Sequence, residues 1–116
     1  MMNIGVDIVE IKRFSDIILN KNKYQKILSV QEIAIFEALA STRRQKEFIA
    51  GRFAAKEAIF KALNKFGITV TFPNVSIING EAGGLSVLFS EPLPYQVLVS
   101  ISHSEENAVA MALVLV

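Results

Sequence analysis

The sequence predicts an α+β fold with a mainly antiparallel sheet, and three observations carry that expectation. Residues 2–10 alternate around Ile4, Val6 and Ile8, the period of two expected of a strand. Residues from about 42 to 66 hold a helical apolar pattern, with Gly67 placed as a C-terminal stop. Beyond Gly67 the chain changes to β-branched and aromatic segments divided by turn signals. A strand, then helices, then a meander of strands is the order of an α+β domain.

Taken in order, the phase of the first strand sets Gly5, Asp7 and Val9 on the face opposite Ile4, Val6 and Ile8. Residues 13–28 read as one or two short helices with a polar break at Asn20–Asn22. Ser29 and Glu32 have the spacing of a capping box, with Ile33, Phe36, Ala38 and Leu39 as the apolar stripe behind it. Thr42 and Gln45 repeat that spacing where the long helix begins. Strands are expected at residues 68–72, 75–78, 85–89, 96–102 and 108–116. Turn signals fall at Pro73-Asn74, Asn79-Gly80, Gly83-Gly84, Pro92 to Pro94 and Ser104 to Asn107. The last strand is apolar at nearly every position from Val109 on, a pattern expected of a strand covered on both faces. The cover would come from the chain's own helices or from a neighbouring subunit.

With 116 residues, the chain is expected to form one domain spanning 1–116. Apolar residues make up 52% and charged residues 20%, a globular composition with much apolar surface for so small a chain. Part of that surface is therefore expected to be buried between subunits. The absence of cysteine excludes disulfides, thiolate metal sites and a cysteine nucleophile. No apolar run reaches the roughly 18 residues of a membrane span, and the amino terminus carries acidic rather than basic residues, so a soluble cytoplasmic protein is expected. A net charge of +1 gives no global field for nucleic acid. Two stretches are locally basic: Lys21, Lys23 and Lys26, then Arg43, Arg44, Lys46 and Arg52. They read either as solvated helix faces or as places where phosphates or an acidic partner bind.

Projected at about 100° per residue, the long helix has a core stripe of Phe48, Ala55, Ile59, Ala62, Leu63 and Phe66. Glu57 and Lys61 lie one turn apart on the other side, and Glu57 is flanked by Phe53 and Phe60. A carboxylate between phenylalanines is costly to desolvate unless a cation or a donor compensates it. Two readings fit: a Glu57–Lys61 surface pair, or a Glu57 that faces a site and helps hold a metal ion. Asp7, in an otherwise apolar strand and near Gly5, is the natural second ligand, or else an ordinary strand-edge aspartate. Two carboxylates completed by water and phosphate oxygens suit Mg²⁺, and the lack of thiolates with a single histidine disfavours zinc. His103, between Ser102 and Ser104 where a strand gives way to a turn, reads as a turn residue or hydrogen-bond donor before a catalytic base. On these residues alone, a magnesium-dependent nucleotide or pyrophosphate hydrolase or a non-catalytic oligomeric binding module also remains open.

The segment Gly5-Val-Asp7-Ile-Val-Glu-Ile-Lys-Arg13-Phe14 resembles the amino-terminal signature of the holo-acyl-carrier-protein synthases. Gly51-Arg52-Phe53-Ala-Ala-Lys56-Glu57-Ala58-Ile-Phe-Lys61-Ala62-Leu63 resembles their second signature, and Ser102-His103-Ser104 their third. Two departures stand out: Asn64-Lys65-Phe66-Gly67 replaces a Gly-Thr-Gly-like turn, and a proline common near Gly83–Leu85 is missing. The resemblance implies a homotrimer of small α+β subunits with active sites at subunit interfaces. It implies magnesium-dependent transfer of phosphopantetheine from coenzyme A to a serine of an acyl carrier protein, in support of fatty acid biosynthesis. By the resemblance, Asp7 and Glu57 hold Mg²⁺, and Glu57 and Lys61 assist the chemistry. Arg52 and His103, with Arg44 and Lys46 as further candidates, would bind the nucleotide end of coenzyme A. Arg13, Lys21, Lys23 and Lys26 would dock the acidic carrier protein.

Overall fold

Strand β1 (Met2–Glu10) shows the predicted alternation, but its aliphatic face is the open one. Ile4, Val6 and Ile8 are 59%, 56% and 64% exposed, while Gly5 and Val9 are buried against the long helix. Gly5 makes that approach feasible. A Cβ at this position would lie 2.1 Å from the carbonyl oxygen of Ala58, so the strand and helix backbones meet where only glycine fits. The computed structural model describes residues 1–80 and 83–116.

The segment after β1 is tighter than the expected short α-helices. It forms 3-10 turns at Ile11–Phe14 and Ile17–Leu19 and one α-helical turn, α1 (Lys21–Tyr24). The polar break falls at Asn20, whose side chain accepts from the amide of Asn22 and starts α1. Helix α2 (Val30–Glu37) opens with the predicted reciprocal capping box of Ser29 and Glu32. Helix α3 (Thr42–Asn64) is instead capped by Ser41, which accepts from the amide of Arg44. Ser41 has the extended backbone a cap needs and Thr42 is already helical; Gln45 reaches back to the Phe36 carbonyl rather than closing a box. The helix ends at Asn64, slightly before the predicted Phe66, and Gly67 turns the chain with φ of +72°.

Residues 68–71 are not the expected strand. After the Gly67 turn they run as a strap, with Ile68 and Val70 packed on the core, into a 3-10 turn at Phe72–Asn74. The remaining strands are β2 (Val75–Asn79), β3 (Leu85–Phe89), β4 (Gln96–His103) and β5 (Asn107–Leu115), all close to their predicted ranges. They form an antiparallel sheet in the order β1-β5-β4 and a separate antiparallel β2-β3 pair.

α3 packs across β1 and β5, and twelve of its residues are buried. Ala108, Ala110 and Ala112 line the helix-facing side of β5, opposite a helix rich in alanine at Ala54, Ala55, Ala58 and Ala62. Small side chains on both surfaces let the layers sit close. Within the chain, β5 is covered on this face only. Its other face leaves Val109 and Met111 exposed, so the expected two-sided burial is half met.

A buried ion pair fastens the helical layer. Lys56 and Glu32 are both fully buried, and the Lys56 ammonium also donates to the carbonyls of Ile27 and Phe72 at 2.8 and 2.9 Å. Glu32 accepts from the amides of Ser29 and Ile77 as well, so it links α2, α3 and β2. Burial pulls the Lys56 ammonium below the usual lysine range, and the Glu32 carboxylate opposes that shift. No helix is long and apolar enough to cross a membrane among the described residues.

Candidate active site

The crossing of β1 over α3 sets the position of the first cluster. Asn3 donates to the carbonyl of Ala62 at 2.9 Å and Gly5 sits on Ala58, so β1 runs toward the amino-terminal end of the helix. Two residues further along the same face comes Asp7. The Lys61 ammonium donates to the Asp7 carboxylate at 3.1 Å and to the carbonyl of Val6 at 2.9 Å. A helical side chain leans toward the amino terminus, so Lys61 reaches back past the turn that carries Glu57. The lysine thus pairs with Asp7 and not with Glu57. Among the described residues Glu57 makes no hydrogen bond or ion pair.

Asp7 is 18% exposed and Lys61 53%, so the pair stands near the surface rather than in the core. Lys61 also lines a cleft of about 280 Å³ with Phe60, Asn64, Ile68, Thr69 and Val70; neither Asp7 nor Glu57 belongs to its lining. Both residues are hard oxygen donors of the kind magnesium takes: Asp7 has Lys61 on one oxygen, and Glu57 has no hydrogen-bond or ion-pair partner among the described residues. No group of three potential metal ligands occurs among the described residues. Such an ion would therefore complete its shell from water and phosphate oxygens.

The second cluster gathers at the other end of α3. Arg44 donates to Glu47 at 2.9 Å, Arg43 lies 3.4 Å from the same carboxylate, and Nδ1 of His103 lies 3.8 Å from it. The side chain of His103, the last residue of β4, points to the helix side of the sheet, as does that of Ile101, which touches Gly51. Arg52 stands apart: its guanidinium stacks on Phe48 at 4.2 Å and donates to the carbonyl of Ile77 at 3.2 Å. Burial pulls its pKa below the usual arginine value. Lys46 lines a cleft of about 250 Å³ on the Arg43 and Glu47 side of this cluster, shared also with Lys12 and the carboxylates Glu10, Glu105 and Glu106. Four acids against three bases make that cleft a weak anion site.

A third group lies beside the first. The Arg13 guanidinium stacks over Phe53 at 4.8 Å, and Phe53 is one helical turn before Glu57. Lys21 pairs loosely with Glu37 at 3.5 Å, while Lys23 and Lys26 are exposed. Two residues that matter were not singled out from sequence. Lys56, inside the second signature, turns inward as a structural tie, away from Glu57. Glu47 carried a readable signal, an acid three and four residues after two arginines.

A family model described as the 4′-phosphopantetheinyl transferase superfamily matches residues 3–114. The chain belongs to this superfamily. Among its relatives, the holo-[acyl-carrier-protein] synthase of Anoxybacillus flavithermus is 41% identical over 116 residues, covering 98% of this chain and 95% of the relative. The corresponding synthase of Chlorobaculum parvum is 43% identical over 117 residues, with 97% of both chains covered. The crystal structure of the Bacillus anthracis holo-(acyl-carrier-protein) synthase in complex with CoA (3′,5′-ADP) superposes with a TM-score of 0.83 at 34% identity. It covers 99% of this chain and 98% of that one. The α+β architecture is thus that of a transferase superfamily member throughout.

Proposed function

We propose that the chain, acting as one transferase unit, moves the 4′-phosphopantetheine group of coenzyme A to a serine of an apo-acyl carrier protein. Adenosine 3′,5′-bisphosphate is the other product. The observation that carries the reading is the Asp7–Lys61 contact on the same helix flank as an unengaged Glu57. The relatives' names and the ligand in the Bacillus anthracis structure support the choice of substrates.

Asp7 and Glu57 are the residues that would hold magnesium, which when bound withdraws charge from the phosphoryl oxygens. The serine oxygen forms a bond to the β-phosphorus, and the bond from that phosphorus to the bridging oxygen breaks, releasing the bisphosphate. Glu57 takes the serine proton. Lys61, fixed by the Val6 carbonyl and Asp7, presents its remaining charge to the developing negative charge. Arg52, His103 and Arg44 bind the nucleotide end, with Lys46 at the margin.

The basic segment lies where a carrier protein would need to dock. Arg13 sits over Phe53, one turn from Glu57, and Lys21, Lys23 and Lys26 follow in the next turns. Opposite charge speeds encounter with an acidic carrier and makes it sensitive to salt. The setting we infer is the cytoplasm, where holo-carrier protein serves fatty acid synthesis.

We further infer a homotrimer. In register, Ile4–Leu113–Leu98, Val6–Met111–Ser100 and Ile8–Val109–Ser102 form three rows on the open face of the sheet. Such a patch is best covered by further copies of the chain. Ten residues separate Glu47 from Glu57 on α3, a rise of about 15 Å. That exceeds the distance from pyrophosphate to 3′-phosphate within one nucleotide, which supports sites completed across subunits.

Glu57→Gln and Asp7→Asn test the metal pair. Both variants are expected to fold by circular dichroism and to lose magnesium-dependent transfer; full turnover by Glu57→Gln would remove it from the site. Co-assembly of Asp7→Asn with His103→Ala chains is expected to restore part of the activity. No rescue would argue that both residues belong to one subunit or that the site is not shared.

A further inference from the structure

Glu47 has no role in the transferase reading, yet it is the hub of the cationic cluster. It is 8% exposed: Oε1 accepts a hydrogen bond from Nη1 of Arg44 at 2.9 Å, while Oε2 faces Nε of Arg43 at 3.4 Å and, more loosely, Nδ1 of His103 at 3.8 Å. The three partners come from two elements, the first turn of α3 and the end of β4. Without the carboxylate, two adjacent arginines would repel each other and swing freely, since both are more than half exposed.

The contacts leave donors to spare. A guanidinium offers five N–H groups, and Arg44 spends one on Glu47. Nδ1 of His103 lies between the Ser104 carbonyl at 3.4 Å and the Glu47 carboxylate at 3.8 Å, which leaves Nε2 without a partner among the described residues. Arg43 faces the cleft that Glu10, Glu105 and Glu106 also line, so the donors free for an anion are those of Arg44, outside that lining. The Arg44 hydrogen bond holds the Glu47 carboxyl below the usual carboxylate range, so it is a fixed anion at neutral pH.

We propose that Glu47 is a positioning residue for the nucleotide end of coenzyme A, aligning Arg44 and His103 into one edge that receives the 3′-phosphate. This rests on the transferase reading above. Glu47 touches no substrate; it acts through the two side chains it holds.

The test compares coenzyme A with dephospho-coenzyme A, which lacks the 3′-phosphate, in steady-state transfer to apo-carrier protein by the full chain. Glu47→Gln is expected to lower kcat/KM for coenzyme A by about tenfold, the scale of one weakened charge-assisted hydrogen bond. The value for dephospho-coenzyme A should move by less than about twofold, since the missing phosphate is what the edge receives. Equal losses on both substrates would mark Glu47 as merely structural and overturn the proposal, as would no loss or a gain on coenzyme A. Should Glu47→Gln fail to fold, Glu47→Asp keeps the charge with a shorter reach, and an unchanged preference there overturns it equally. Arg44→Ala separates the two levels of inference. If it leaves the preference for coenzyme A intact, the assignment of Arg44 to the nucleotide end fails first. If it reduces the preference while Glu47→Gln does not, only the role of Glu47 falls.

Discussion

Lys56→Met gives the sharpest test of how the second signature divides between structure and chemistry. Lys56 adjoins Glu57 in sequence, but its ammonium is fully buried and donates to Glu32 and to the carbonyls of Ile27 and Phe72. Methionine keeps the length and apolar stem of lysine. It removes the cation, leaves Glu32 as an uncompensated buried charge and deprives two carbonyls of a donor. Breaking one side of a buried pair costs about 3–5 kcal/mol. The double variant Lys56→Met/Glu32→Gln carries no buried charge, so its loss should fall below the sum of the two single losses by about 1–3 kcal/mol. Urea denaturation at a fixed protomer concentration measures each value through the midpoint at constant slope. A single-variant loss below about 1 kcal/mol, or strict additivity in the double variant, would refute the assignment of Lys56 as the tie between α2, α3 and β2.

Gly5→Ala should destabilise the fold by at least the 1–3 kcal/mol typical of overpacking, because the new Cβ would meet the Ala58 carbonyl at 2.1 Å. It should also depress transfer activity by moving Asp7 relative to α3; wild-type melting and turnover would contradict the close crossing. The Tyr24–Glu37 hydrogen bond predicts a pH window. Its donor, the Tyr24 hydroxyl, holds the Glu37 carboxyl below its usual range and itself ionises above its own. The stability it contributes is therefore present above the ordinary carboxylate pKa and lost as pH falls through the lowered one; it is lost again as pH rises through the raised tyrosine value. Tyr24→Phe should be less stable than wild type near neutrality, with the gap closing in acid and in strong base; a gap that widens in acid would refute it.

The sequence made much of this legible because its strongest signals are local. The Ser29–Glu32 box, the Gly67 stop and four of the five strands after it are set by spacing and turn chemistry, and all formed. Residues 68–71 failed as a strand because they form a short strap between the Gly67 turn and the 3-10 turn at Phe72–Asn74, with Ile68 and Val70 held by the core rather than by a pairing partner, which a propensity reading does not see. The open Ile4–Val6–Ile8 face has the same cause: alternation gives two faces but not which one a helix covers, and that was decided by Gly5 meeting Ala58. At the site, the phenylalanines one turn to either side of Glu57 were visible in the sequence. The partner of Lys61 was not, because the Asp7 contact joins residues 54 positions apart. Lys56 looked like part of the same constellation as Glu57, and only the burial pattern of α3 separates them.

Mass spectrometry of the carrier protein tests the central claim most directly. Apo-carrier protein incubated with the chain, coenzyme A and magnesium should gain the mass of one phosphopantetheine, and the gain should vanish with Glu57→Gln. Cleavage of coenzyme A without any gain on the carrier would contradict the account and make the two carboxylates those of a hydrolase.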